Sequence, residues 1–337
     1  MLNFWEESFW LPQSATWDDF KSNGTIRYPQ ASELQYTVLV GAILLITRIL
    51  VESFVFLPIG VAFGWIDTTN EGFCSRVFGH LFGGFAGRRK FKRVAESAWR
   101  FTYYFFSFFI GLYIISKEPQ FKDVDDCWRD YPHQNVNDAV WWYYVVETGF
   151  YWSLFFSTFV FDVRRSDFWQ MVIHHVITIS LLSISFTVNC VRVGTLILLS
   201  HDAADVLIEL GKLFRYAHWN TALNILYVIF MLVWIGTRLI YYPFWVIHSV
   251  IYTAPPLIQA NYRWEDVFQA PMIPRVLAVM LISLVGLHVF WTYLLIKIAI
   301  KSRNSGSLDD IREESDSEAT SPESSPKPVR KEKKKQK

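Results

Sequence analysis

The sequence predicts an all-α integral membrane protein of about seven transmembrane helices, and three observations carry that prediction. The 337 residues are 52% hydrophobic and 18% aromatic, more than a water-soluble chain of this size normally holds. Long apolar runs recur along the chain, each near the roughly 20 residues a helix needs to cross a bilayer. Aromatic clusters such as Trp141-Trp142-Tyr143-Tyr144 and Tyr241-Tyr242 fall where interfacial belts form.

Taken in order, the N-terminal segment 1–35 is aromatic but interrupted by Pro12, Asp18, Asp19 and Lys21, without the apolar core of a removable signal. The first span is therefore expected to do the targeting. Spans are predicted near 36–62, 99–117, 140–161, 168–188, 192–211, 222–246 and 274–300. The proline-bearing stretch 253–271 stays open between a re-entrant segment and a simple loop. Residues 301–337 are rich in Ser, Glu, Lys and Pro; they cannot bury enough apolar surface to fold and are expected to be disordered. Ser307, Ser315, Ser321 and Ser325 sit in contexts suited to phosphorylation, with a merely solubilising tail as the plainer reading.

The net charge of +1 averages an apolar body with a charged tail, so distribution matters more than the sum. Loop 63–98 is basic, with Arg76, Arg88, Arg89, Lys90, Lys92 and Arg93; Arg164 and Arg165 follow the third span, and Lys212 and Arg215 the fifth. The alternate set is poorer in base, and its 118–138 loop is acidic. Positive loops stay cytosolic, which predicts a lumenal N-terminus and a cytosolic C-terminus. Asn23-Gly24-Thr25 is a glycosylation acceptor usable only in that orientation. The terminal Lys334-Lys335-Gln336-Lys337 resembles a cytosolic dilysine signal for retrieval to the endoplasmic reticulum, with a solvated basic run as the alternative. Cys74, Cys127 and Cys190 form neither a disulfide framework nor a zinc pattern; buried free thiols are expected, and a Cys127–Cys190 bridge is the alternative.

Chemistry is expected where ionisable groups sit at membrane depth. His174, His175, His201, Asp202, Asp205 and Glu209 all fall inside predicted spans, at a cost of about 2.5–3.5 kcal/mol for each charged group. Helical spacing lines His201, Asp202, Asp205, Glu209 and Lys212 along one stripe of the fifth span, and Tyr144, Glu147 and Tyr151 along one of the third. His174 shares a face with Thr178, and His175 lies about 100° around the helix. Counting from the cytosolic ends, His174 and Asp205 lie at a common depth of roughly 10 Å, so a His–Asp contact is expected. A carboxylate that accepts one ring N–H leaves the other imidazole nitrogen free to take a proton or attack a carbonyl carbon. Plainer readings apply elsewhere. His248 and His288 are expected to be helix–helix hydrogen-bonding residues, and Arg48 with Glu52 an i, i+4 structural pair. A zinc held by His174, His201 and Asp205 is weighed on ligand type and set aside, so no metal is expected.

The stretch Asp167-Phe168-Trp169-Gln170-Met171-Val172-Ile173-His174-His175, continuing through Arg192-Val193-Gly194-Thr195 to His201-Asp202-Ala203-Ala204-Asp205, resembles the longevity-assurance motif of ceramide synthases, within the wider TLC-domain family. Glu96-Ser97-Ala98-Trp99-Arg100-Phe101, Cys127-Trp128-Arg129-Asp130-Tyr131-Pro132 and Tyr151-Trp152-Ser153-Leu154 support the likeness, which covers roughly residues 90–300. The resemblance implies a six-helix TLC-type bundle around a central cavity, with a catalytic domain at 99–300. It implies transfer of a fatty acyl group from acyl-CoA to the amine of a sphingoid long-chain base. His174, His175, Asp202 and Asp205 match the family's catalytic residues, supported by His201, Glu147 and Glu209; Arg164, Arg165, Lys212 and Arg215 are candidates for the CoA phosphates. No cofactor is expected, because acyl-CoA is a substrate. Loop 66–98 is too short for the homeobox-like insertion of many animal members, with only Lys90 to Arg93 like its end, so no nucleic-acid binding is expected. The segment Ser307 to Glu313 loosely resembles an acidic dimerisation motif, which leaves a homo- or hetero-dimer open. Membrane lipid is the remaining partner. The rival class is a non-catalytic TLC-domain sensor, carrier or membrane chaperone, and a proton-coupled transporter is a third reading.

Overall fold

A computed structural model of the chain describes residues 6–23, 26–64, 72–82, 90–162, 165–305 and 308. Gly24 and Thr25 of the glycosylation acceptor, Arg88, Arg89, Arg164, Ser307 and the tail beyond Leu308 lie outside the described residues, as do the side chains of Arg76 and Lys90. The regular secondary structure among the described residues is all helical, with no strand.

The first long helix, α1, runs Leu34–Val51 and continues through a wide π turn, Glu52–Phe56, into Leu57–Ala62. Pro58 near the start of that last piece has no N–H to donate, and a widened turn just before it is a usual accommodation. A short helix α2 follows at Phe73–Phe82, then α3 at Lys90–Ile115 and α4 at Asp138–Val160. Asn137 caps α4 by accepting from the Val140 N–H at 2.9 Å, with Asp138 in the favourable first turn. Helix α5 is Phe168–Thr187 and α6 is Val191–Tyr216. The tight turn between them places Asn189 at φ 57°, and its side-chain amide donates to the carbonyls of Pro132 and Gln134 at 2.8 and 2.9 Å. Helix α7 covers Asn220–Ile258, with π geometry at Ile235–Ile247 around Pro243; α8 is Ile273–Ser305.

Five of these segments, Ala31–Ala62, Lys92–Ile115, Phe168–Thr187, Asn220–Ile258 and Ile273–Arg303, are long and apolar enough to cross a membrane. The spans expected at 140–161 and 192–211 exist as helices α4 and α6, but neither meets that standard of apolarity. Helix α4 is dense in Trp and Tyr, and α6 carries the ionisable stripe. Both bury most of their length inside the protein, which is where polar groups at membrane depth must go.

Packing runs α3 against α4, α4 against α5, α5 against α8, α8 against α7, α7 against α6, and α6 along the whole of α3. That sequence closes a ring of six helices. Helix α1 lies outside it, along α4, where a Cβ at Gly41 would come within 2.8 Å of the Gly149 carbonyl. Only glycine permits so close an approach. Of the stretch 253–271, left open by the sequence, residues up to Ile258 complete α7 and the rest is an end loop, which Arg275 gathers by donating to the carbonyls of Arg263, Asp266 and Gln269 at 2.7, 2.6 and 2.9 Å. Cys127 and Cys190 are buried free thiols. The end of the ring bearing Arg100, Arg165 and Lys212 is called the basic end below.

Candidate active site

Two cavities meet inside the ring. The first lies toward the basic end and is lined by all six ring helices together with Arg165. Its charged lining sets Arg100, Arg165, Lys212 and Arg238 against only Asp205 and Glu209. Glu96 and Asp162 pair with Arg100 and Arg165 from behind, so the cations stand at the cavity surface, where they can meet an anionic ligand. The second, farther from the basic end, is almost wholly apolar, lined by Leu181, Leu182, Val193, Leu198, Leu277, Leu281 and Leu284 with a few hydroxyls. His174 and Tyr151 line both. His174 therefore stands at the junction between a space suited to anions and a space suited to hydrocarbon.

The ring of His174 packs edge-on to Trp291 at 5.4 Å and to Tyr151 at 6.2 Å, with His175 at 5.6 Å. Its Nδ1 has no hydrogen-bond partner in the protein. Such an imidazole nitrogen can accept a proton or act as a nucleophile. His175 also lines the larger cavity, while its Nδ1 faces the Thr158 hydroxyl of α4 at 3.5 Å.

Here the expected His–Asp contact is corrected. His174 and Asp205 do line the same cavity, as their matched depths require, but the carboxylate is taken by Arg238, which donates to it at 3.0 Å and to the His201 carbonyl at 2.9 Å. Asp202 turns the other way. Its carboxylate lies 3.2 Å from the Ser107 hydroxyl of α3, whose single proton can serve either it or the adjacent Glu147, and Glu147 also accepts from Tyr103 at 3.1 Å. His201 faces the apolar cavity and pairs with His288 of α8 at 3.2 Å. The single stripe read from α6 thus splits: His201 meets α8, Asp202 meets α3, and Asp205, Glu209 and Lys212 face the larger cavity. The reason is angular, since neighbouring residues such as His201 and Asp202 point about 100° apart.

Glu209 and Lys212 form an ion pair at 2.6 Å within the cavity lining. Of the residues expected to meet phosphates, Arg165 and Lys212 reach this cavity and Arg215 lines a neighbouring groove between α6, α7 and α8. His288 bonds between helices as expected, to His201 and toward Arg238 at 3.4 Å. Among the described residues no group of three or more His, Cys, Asp or Glu side chains could hold a metal ion.

Sequence reasoning missed Arg100, Arg238, Ser107 and Trp291. Arg238 carried a usable signal: a lone arginine inside an apolar span is as costly as the aspartates that were singled out. Ser107 and Trp291 carried none, because their roles exist only through contacts between distant helices.

A six-helix membrane bundle with paired histidines at the wall of an inner cavity defines the class. Residues 93–297 match the TLC domain family. The chain belongs to the TLC-domain family of ceramide synthases. It is 43% identical to ceramide synthase hyl-1 of Caenorhabditis elegans, over 94% of this chain and 84% of that protein. Identity to ceramide synthase hyl-2 of the same organism is 41%, over 94% and 95%. Human ceramide synthase 5 is 33% identical, over 95% of this chain and 87% of its own length.

Proposed function

We propose that this chain is an acyl-CoA-dependent sphingoid-base N-acyltransferase, making ceramide or dihydroceramide. The observation that carries the reading is His174 at the boundary between the cation-rich cavity and the apolar one. A fatty acyl-CoA has that same division: phosphates at one end, hydrocarbon at the other, and a reactive thioester between them. In this reading Arg100, Arg165 and Lys212 meet the phosphates, the leucine-lined cavity takes the acyl chain, and the thioester carbonyl lies beside His174.

The base nitrogen attacks the thioester carbon, a C–N bond forms, the C–S bond breaks, and CoA leaves as the thiolate. His174 takes the proton lost by the amine and returns it to the sulfur, or carries the acyl group itself between the two steps; both courses use the same nitrogen. Arg238 and Asp205 fix the opposite wall. The thioester supplies the activation, so the reaction draws on no resident cofactor.

The reading extends to location: a multi-pass protein of the endoplasmic reticulum membrane, its N-terminus lumenal and glycosylated at Asn23, its C-terminus cytosolic. The alternating basic loops support this. Purified protein in detergent, given sphinganine and acyl-CoAs of varied length, tests the activity. N-acyl product that disappears with His174→Ala supports it. Lipid binding without product at any chain length would instead mean a sensor or carrier.

A further inference from the structure

Behind the cation-rich wall, a chain of buried ion pairs leads out of the ring to α1. Arg100, which lines the cavity, donates to Asp162 at 2.6 Å. The other oxygen of Asp162 lies 2.9 Å from Arg48 of α1, and Arg48 donates to Glu52 at 2.6 Å. Glu52 in turn meets His80 of α2 at 2.9 Å. On the cavity side, Arg100 and Arg165 share Glu96 at 3.2 and 3.6 Å. Every side chain in this chain of contacts is no more than 12% exposed.

Each of these buried charges is expensive to desolvate and is tolerated because it is paired. Their arrangement has a direction. An arginine at a cavity wall keeps many rotamers when loose and swings toward water when nothing holds it. Asp162 removes both freedoms from Arg100, yet Asp162 is outside the cavity lining and is itself gripped by a helix that lies outside the matched domain.

We propose that Asp162, clamped by Arg48 of α1, is a positioning residue that fixes the Arg100 guanidinium at the cavity wall to receive a phosphate of the acyl donor. Helix α1 thereby sets the affinity for CoA without touching it. This rests on the reading of the cavity as an acyl-CoA site.

The test uses purified full-length protein with Asp162→Asn, Asp162→Glu, Arg48→Met and Arg100→Met, measuring kcat and the KM for acyl-CoA at saturating sphinganine, and the Kd of free CoA by calorimetry. Asp162→Asn and Arg48→Met are expected to raise both KM and Kd about tenfold, the value of one charge-assisted hydrogen bond, with kcat changed less than about twofold. Asp162→Glu recovers most of the loss, and adding Asp162→Asn to Arg100→Met brings no further loss. Unchanged KM and Kd in both variants overturn the proposal, as does a fall in kcat alone. If Asp162→Asn does not fold, Arg48→Met carries the test. If the wild type binds CoA and Asp162→Asn weakens that binding, yet no amide forms, the proposed activity fails and the positioning role stands. If the wild type does not bind CoA, both fall.

Discussion

Arg238 of α7 donates to Asp205 of α6 at 3.0 Å, and that bond decides what the carboxylate can do for His174. Asp205 shares the cavity wall with the histidine, but its charge is already committed to a guanidinium. The pair is a fixed dipole in the wall of the cavity that His174 also lines, and it leaves the His174 Nδ1 without a protein partner. This differs from a triad, where the carboxylate bonds directly to the imidazole.

His174→Ala is therefore expected to lower N-acylation by about 10²–10⁴-fold, the usual contribution of a positioned base. The protein should still bind acyl-CoA, because the cations and the apolar cavity remain. Product formation and CoA binding measured on one preparation check this.

Arg238→Met leaves Asp205 and the His201 carbonyl without their donor. Breaking a buried pair from one side costs about 3–5 kcal/mol, so the thermal unfolding midpoint in detergent is expected to fall sharply. The double variant Arg238→Met with Asp205→Leu should recover part of that loss, because no lone charge remains.

Gly194 faces the Tyr144 ring and hydroxyl with no room for a Cβ, and both residues line the apolar cavity. Gly194→Ala is expected to push Tyr144 into that space and shift the preferred acyl-CoA toward shorter chains. Leu281→Ala, which enlarges the same cavity, should shift it the other way. Competition among acyl-CoAs of graded length gives the readout.

Burial pushes the Asp162 carboxyl up, but Arg48, Arg100 and Arg165 outweigh it and hold the group down at about 2, against an ordinary 3.8. A depressed value means that the stabilisation is fully present above 3.8 and disappears as pH falls through about 2. It amounts to about 2 kcal/mol. Unfolding midpoints followed from pH 6 to about 2 should fall more steeply in the wild type than in Asp162→Asn, which has no such group to protonate.

If the N-terminus is lumenal, protein made in cells with glycosylating membranes should migrate faster after glycosidase treatment, and Asn23→Gln should abolish the difference. Absence of any shift in the wild type would count against the lumenal orientation.

What the sequence determined by itself was the class and several of the side chains that line the inner cavity. Hydropathy set the long helices, since a bilayer-length apolar run has few other solutions, and the expense of ionisable groups at depth picked out His174, His175 and Asp205. Counting residues from the helix ends even matched His174 with Asp205 in depth, because rise per residue is fixed. Which partner each side chain takes was decided only by tertiary structure. Rotation about the α6 axis sends Asp202 to Ser107 and His201 to His288, and the ring order brings Arg238 to Asp205 before His174 can reach it. Helical periodicity gives directions relative to one helix, whereas contacts depend on how neighbouring helices are rotated and shifted. That information lies in the packing of all six, and for Arg100 and Asp162 in a seventh helix outside the ring.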